Sequence, residues 1–338
     1  MTVHSIGDQA RSFALQAASN RIKTNLSVLT SELSSGEVQD LGARLQGNTQ
    51  GIADITSRLA MLSQLQRNAT EAAAQAQGMT DVLDSVRSLT GTISLNLFIE
   101  TSTTLEPVIK VRAAESAGAL EAVVNRLNGA VAQRHLFAGA NSDTAPLISA
   151  TDILDQLEIF TAGLSNASDI SAAVAAWFDA APGGGGFLDT AYAGSTNQIQ
   201  TLQVGENVSV ALSTTAATPA IREQLKGLAT AALVDRGLLA GQPQEQRALL
   251  HGGGKLLLDA SSALAQEMAQ IGYIQQRIEL AQTEGSAASA TLEIMRNEIR
   301  GADPYATSVA ISEAETHLDA LYAVTARLSK LRLVDYLR

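Results

Sequence analysis

The stretch LLHGGGKLLLDASSALAQEMAQIGYIQQRI, residues 249–278, decides the fold class of this chain. Its large apolar residues recur mostly at steps of three, four or seven, which places them on one face of an α-helix. No proline interrupts the run. We therefore predict a long amphipathic helix that continues to about residue 284, where Gly285 softens it or joins it to a second rod. The residues of this face are Leu249, Leu256, Leu257, Leu264, Met268, Ile271, Ile274 and Ile278.

Both ends of the chain repeat this pattern at coiled-coil spacing. Apolar residues step by three or four from Leu15 to Leu33, and again from Ile311 to Leu328. Antiparallel pairing of the two ends would bury part of both apolar faces. Because no other partner for these faces is visible in the sequence, we also expect a partner chain to cover them.

Two further helices are predicted after the N-terminal one. The first covers residues 52–93 and the second runs from Val108 to about residue 134. The middle of the chain has short elements instead, with helices at about 151–163 and 168–180. Alternating apolar residues on both sides of Gly205-Glu206-Asn207 predict a β-hairpin over residues 198–212.

These patterns together predict a mainly α fold. It consists of a long antiparallel helical coiled-coil bundle formed by both chain ends, with a small central α+β domain containing a β-hairpin. The expected divisions are a terminal assembly region (1–50), the N-terminal part of a helical rod (51–135), an outward-facing central domain (136–240), the C-terminal part of the rod (241–300) and a C-terminal assembly helix (301–338).

Composition excludes several classes of function. The 338 residues carry a net charge of −11 without a cluster of Lys and Arg, which argues against binding to nucleic acid. No apolar run approaches the roughly 18–20 residues that span a bilayer, so we predict no membrane insertion. The N-terminus lacks a charged segment followed by an apolar block, so any export would not use a cleaved signal peptide.

The sequence offers no catalytic constellation. His251-Gly252-Gly253-Gly254 is similar to an esterase oxyanion loop, but that chemistry needs a G-x-S-x-G nucleophile motif, which is absent. We interpret these glycines as a hinge in or before a helix. The four histidines are far apart and there is no cysteine, so no zinc site is indicated. We predict neither an enzyme nor a cofactor.

Five segments resemble the flagellin family. Ile271–Ile278 (IGYIQQRI) resembles the I-G-x-x-Q-x-R-L element of its C-terminal helical domain. Ile299–Ala306 (IRGADPYA) resembles the R-I-x-D-x-D-x-A break between two helices, with Asp303 as the single acid retained. Leu33–Gly36 (LSSG) matches the end of the family's first helix, although the acidic pair that usually follows is missing.

The fourth and fifth segments point to the hook–filament junction proteins of this family. His135–Pro146 (HLFAGANSDTAP) resembles their Y-x-F-x-G…T-x-P-F signature, with Leu147 in place of the last Phe. The ending Leu328–Leu337 (LSKLRLVDYL) is similar to their leucine-rich D-Y-L terminus.

The resemblance implies an extracellular structural subunit of the bacterial flagellum. Members of the family pair their terminal regions towards the tube interior and are exported unfolded through the flagellar type III apparatus. The implied partners are other copies of the chain in a ring, a neighbouring hook-associated protein, flagellin and an export chaperone. The expected subunit-interface residues are Leu15, Ile22, Leu26, Leu29, Ile311, Leu318, Leu321, Leu328, Leu331 and Leu337.

Two other functions remain open at this point. A divergent flagellin would form the filament itself and would be abundant in purified filaments. A cytoplasmic coiled-coil binding protein would not be found outside the cell.

Overall fold

The computed structural model describes residues 6–98, 105–196 and 200–336, and the side chains of residues 10–327 within those ranges. Its helices are α1 (Ile6–Ser35), α2 (Leu41–Arg44), α3 (Gln50–Phe98), α4 (Glu106–Leu127), α5 (Ala150–Thr161), α6 (Ala167–Asp179), α7 (Phe187–Thr190), α8 (Pro219–Ala232), α9 (Pro243–Arg300) and α10 (Pro304–Tyr336). Its strands are β1 (Ala130–Val131), β2 (Arg134–His135), β3 (Gln200–Gly205) and β4 (Val208–Leu212). The predicted mainly α fold is confirmed.

The chain divides into two compact units. The first contains residues 1–61 and 287–338, and the second contains residues 62–286. Within the first unit α1 and α10 pack against each other. They are antiparallel, because the end of α1 lies beside the start of α10, where Glu37 and Gly301 form an antiparallel bridge. The predicted pairing of the two chain ends is therefore confirmed.

The second unit has an apolar core built on parts of α3 and α9. Helix α8 lies within this core, and every residue from Gln224 to Val234 is buried. Helices α4, α5 and α6 contact α8. Trp177, Phe178 and Phe187 form an aromatic cluster in the same core, with ring centroids 4.9–5.8 Å apart.

The predicted β-hairpin is confirmed as β3–β4. Leu202 pairs with Val210, and the ladder is irregular between Gln203 and Gly205. A second hairpin, β1–β2, was not predicted. Its two connecting residues, Ala132 and Gln133, have φ of 50° and 65°, which is a turn conformation usually supplied by Asn-Gly. The predicted helix to about residue 134 is therefore wrong at its end, since α4 stops at Leu127.

The longest helix extends further than predicted. Helix α9 is continuous over 58 residues and passes through Gly285. It also contains Gly252, Gly253 and Gly254, so these glycines lie inside a helix, which is one of the two expected positions, and they do not interrupt it. None of the helices in the described ranges contains an apolar stretch of the length that a bilayer-spanning helix requires.

Candidate assembly interface

The predicted interface residues of α1 lie on its α10-facing side. Leu15, Ile22, Leu26 and Leu29 are half-buried, whereas most positions between them are exposed. Since α10 is the main helix that contacts α1, it supplies this cover. These residues therefore line a seam between two helices of one chain, which we call the terminal seam.

Helix α10 contributes the other side of the terminal seam. Ile311, Leu318 and Leu321 are half-buried, and Thr307 and Ala314 at the same spacing are buried. The side chains of Leu328 and Leu331, and the whole of Leu337, lie outside the described residues. The seam is consequently covered only in part by its own chain, and contact of these residues with another subunit stays a prediction.

A second set of apolar residues lies outside the terminal seam. Phe13 is 77% exposed, Tyr305 is 80% exposed, and Tyr322 and Val324 are each nearly half exposed. Sequence reasoning missed them because it followed a single stripe on each helix.

The exposed face of α10 contains an open groove of about 620 Å³. Tyr305 and Val309 provide its apolar lining, and Ser308, Ser312 and Thr316 contribute small polar side chains. A signal in the sequence could have indicated this second face. Tyr305 and Val309 are four residues apart, and small residues surround them, so both lie on the same side of the helix.

Asp303 begins α10. Its carboxylate accepts hydrogen bonds from the backbone N–H groups of Tyr305 at 2.9 Å and Ala306 at 3.3 Å. These groups have no partner inside the helix, so an acidic cap satisfies them and interacts favourably with the helix dipole. The single acid retained in the break motif therefore has a structural role at the point where the rod ends.

The segment His135–Pro146 positions the middle of the second unit. Phe137 is fully buried, and its carbonyl accepts a hydrogen bond from the Ala216 backbone N–H at 2.9 Å. The next carbonyl, of Ala138, accepts one from Ser195 at 2.9 Å. This motif thus connects three loops that are distant in the sequence.

Leu147, where the motif usually has Phe, is also held in place. The side chain of Asn128 donates to the Leu147 carbonyl and accepts from its N–H, both at 2.9 Å. The Leu147 side chain is buried, so a leucine fills the apolar site at this position.

Charge is distributed unevenly between the two units. Residues 1–61 and 287–338 carry 11 Lys and Arg against 12 Asp and Glu, a net charge of −1. Residues 62–286 carry 12 against 22, a net charge of −10. A nearly neutral surface can approach another copy of itself with little repulsion, whereas an acidic one favours solubility.

Two side chains in the second unit have pKa values shifted from their ordinary ones. Backbone N–H groups of Gly183 and Gly185 donate to the exposed Asp189 carboxylate at 2.7–3.0 Å, and they lower the pKa of Asp189. Burial raises the pKa of the Tyr192 hydroxyl. Among the described residues, no group of three His, Cys, Asp or Glu could hold a metal ion.

Comparison with known proteins identifies one region. Residues 255–337 match the family model of the bacterial flagellin C-terminal helical region. This range contains the Ile271–Ile278 element and the Asp303 break, so the resemblance to flagellins is confirmed there. No curated protein matches the sequence. A solved structure assigned as a flagellar hook-associated protein from Vibrio parahaemolyticus shares 13% identity, with a TM-score of 0.40, over 76% of this chain and 94% of that chain.

Proposed function

We propose that this chain, with a flagellin-type helical region at its C-terminal end, is an exported structural subunit of the bacterial flagellum that forms the junction between hook and filament. The observation that carries the proposal is the match of residues 255–337, which includes the whole described part of α10. A chain of this kind acts through packing surfaces and has no catalytic role.

The terminal seam supports assembly with further copies. Two paired helices leave the outer sides of their apolar residues in water, as the half-burial of Leu26 and Leu321 illustrates. Long helices are stabilised mainly by packing of their apolar faces, so a third or fourth helix from a neighbouring subunit would complete the cover. The low net charge of the first unit permits such an approach.

The junction role rests on two resemblances. The Phe137 loop and the Asp335-Tyr336-Leu337 ending are similar to those of junction proteins. In this role the subunit forms a ring of few copies, docks to a neighbouring hook-associated protein and presents a flagellin-type surface to flagellin. An export chaperone would protect the C-terminal helix before secretion. The expected divisions of the chain correspond to this role, with 136–240 facing outward.

The test is a strain that lacks the gene, complemented with variants. The deletion strain should keep its hooks, lose its filaments and release flagellin into the medium, as seen by electron microscopy and immunoblotting. The wild-type gene should restore filaments. Leu321→Asp should be secreted without restoring filaments, because burying an unpaired charge in a helical seam costs about 3 kcal/mol or more of packing free energy.

Ala323→Asp is the matched control for Leu321→Asp. It introduces the same negative charge two residues away, at an exposed position, and it should restore filaments. Normal filaments in the deletion strain would disprove the junction role. A deletion strain without filaments and without flagellin in the medium would instead favour a divergent flagellin, and a chain confined to the cytoplasm would favour the coiled-coil binding protein.

A further inference from the structure

We infer that the two breaks in the terminal helices of the first unit act as a single hinge, closed by a clasp formed by Gly36–Val38 and Arg300–Ala302. One break ends α1, where the N–H of Gly36 donates to the Glu32 carbonyl at 2.8 Å and Gly36 turns the chain with φ of 72°. The other ends α9, where the N–H of Gly301 donates to the Asn297 carbonyl at 2.7 Å.

Backbone hydrogen bonds join the two breaks directly. The Val38 N–H donates to the Arg300 carbonyl at 2.8 Å, and the Ala302 N–H donates to the Gly36 carbonyl at 2.9 Å. These two bonds flank the antiparallel bridge between Glu37 and Gly301. Each break thus satisfies backbone groups of the other that the helix ends would leave without partners.

Side chains close the clasp from both sides. The guanidinium Nη2 of Arg300 lies 2.6 Å from Oε2 of Glu37. Nη1 of Arg44, at the end of α2, donates to the Gly301 carbonyl at 2.5 Å. Asp40 caps α2 by accepting from the Ala43 N–H at 2.8 Å, which positions Arg44 for this contact.

The consequence is mechanical coupling of α1 and α10. A helix break is a point where backbone dihedrals can change at low cost, and two independent breaks would let α1 and α10 turn separately. That would shift the terminal seam out of register. Because the clasp ties the breaks together, a turn at one break requires the same turn at the other, and the helix pair moves as one body.

Amide hydrogen exchange on the full-length chain tests this coupling without any assembled partner, so its outcome is independent of the proposed function. Gly36→Ala strains the backbone of the first break, because φ of 72° is unfavourable for alanine, and it adds no clash, since no atom lies within 4 Å of the added Cβ. The coupling predicts about fivefold or faster exchange at Gly301 on the other break, whose N–H donates to Asn297 and not to Gly36; this factor corresponds to the strain of a left-handed alanine.

Gly47→Ala is the matched control. Gly47 also has a positive φ, 83°, with open space at its Cβ, and it lies in the same loop outside the clasp. It should leave exchange at Gly301 unchanged. Equal exchange at Gly301 in the Gly36→Ala variant and the wild type would overturn the inference, as would an equal acceleration by Gly47→Ala.

A charge exchange tests the side-chain part of the clasp. Glu37→Gln should speed exchange at both Val38 and Ala302 by about two- to fivefold, the scale of a partly exposed ion pair. The double variant Glu37→Arg with Arg300→Glu should return both rates towards the wild type. Acceleration on one break alone, or a double variant as fast as Glu37→Gln, would contradict the single hinge.

Discussion

Three consecutive glycines in α9 provide a sharp test of packing in the second unit. Gly253 and Gly254 lie where α9 approaches two other helices, whereas Gly252 does not. A Cβ added at Gly253 would lie 2.7 Å from the Gly227 carbonyl oxygen of α8. A Cβ at Gly254 would lie 2.7 Å from Cβ of Leu97 in α3. Both obstacles belong to or adjoin the backbone, so they cannot move aside by a side-chain rotation.

The expected changes in the free energy of unfolding follow from two opposing effects. Replacing glycine by alanine inside a helix is favourable by about 0.8–1 kcal/mol, because alanine loses less backbone entropy on folding. At Gly252 nothing opposes this gain, since the nearest atom to the new Cβ is Oγ of Ser171 at 3.8 Å. At Gly253 and Gly254 overpacking costs typically about 1–3 kcal/mol, and more where backbone must separate. We therefore expect Gly252→Ala to stabilise, and the other two variants to be less stable than it by about 1–3 kcal/mol.

Thermal unfolding of the three purified variants, followed by circular dichroism, measures the difference. For a unit of this size about 1 kcal/mol corresponds to roughly 2–4 °C in Tm. Gly252→Ala should therefore raise Tm by about 2–4 °C, and Gly253→Ala should unfold several degrees below it. Gly227→Ala, on the opposite side of the contact, should resemble Gly253→Ala. If Gly253→Ala and Gly252→Ala had the same Tm, the close approach of α8 and α9 would be refuted.

Two further predictions concern the protease sensitivity of the chain ends and the stability of the second unit at low pH. Limited proteolysis of the dilute monomer should remove residues 1–35 and 300–338 before the middle, because the terminal seam covers its apolar residues only in part; equal resistance of the ends and the middle would count against this. The lowered pKa of Asp189 adds stability above the unfolded pKa of about 3.9, and this is lost as pH falls through the lower folded pKa. In urea unfolding at pH 7, Asp189→Asn should therefore have a lower free energy of unfolding than the wild type, and the difference between the two should be smaller at pH 3. An equal difference at both pH values would show that the carboxylate does not hold the Gly183–Gly186 loop.

Much of the secondary structure could be predicted from local patterns. Apolar residues spaced by three or four indicated α1, α3, α9 and α10, because a helix buries one face and the spacing of that face is a property of neighbouring residues. The β3–β4 hairpin followed from alternation around Gly205 for the same reason. Asp303 at the second break also marked a helix start, since a carboxylate there satisfies free backbone N–H groups.

Local patterns failed where the decisive contact was distant. The β1–β2 turn uses Ala132 and Gln133 in a left-handed conformation, which neither residue favours and which the surrounding packing must impose. The glycines at 253 and 254 indicated a hinge, because a glycine that breaks a helix and a glycine that admits a neighbouring helix are identical in sequence. Only the positions of Gly227 and Leu97 distinguish the two cases.

The candidate interface divides in the same way. The sequence by itself determined that Leu26 and Leu321 lie on apolar helix faces, because periodicity assigns a residue to a face without reference to any partner. Only the tertiary structure decided that these two faces cover each other, that Tyr305 is left in water, and that Glu37 meets Arg300 across 263 positions of sequence. A helical pattern states that a face must be covered, but the identity of the cover depends on which surfaces meet in space.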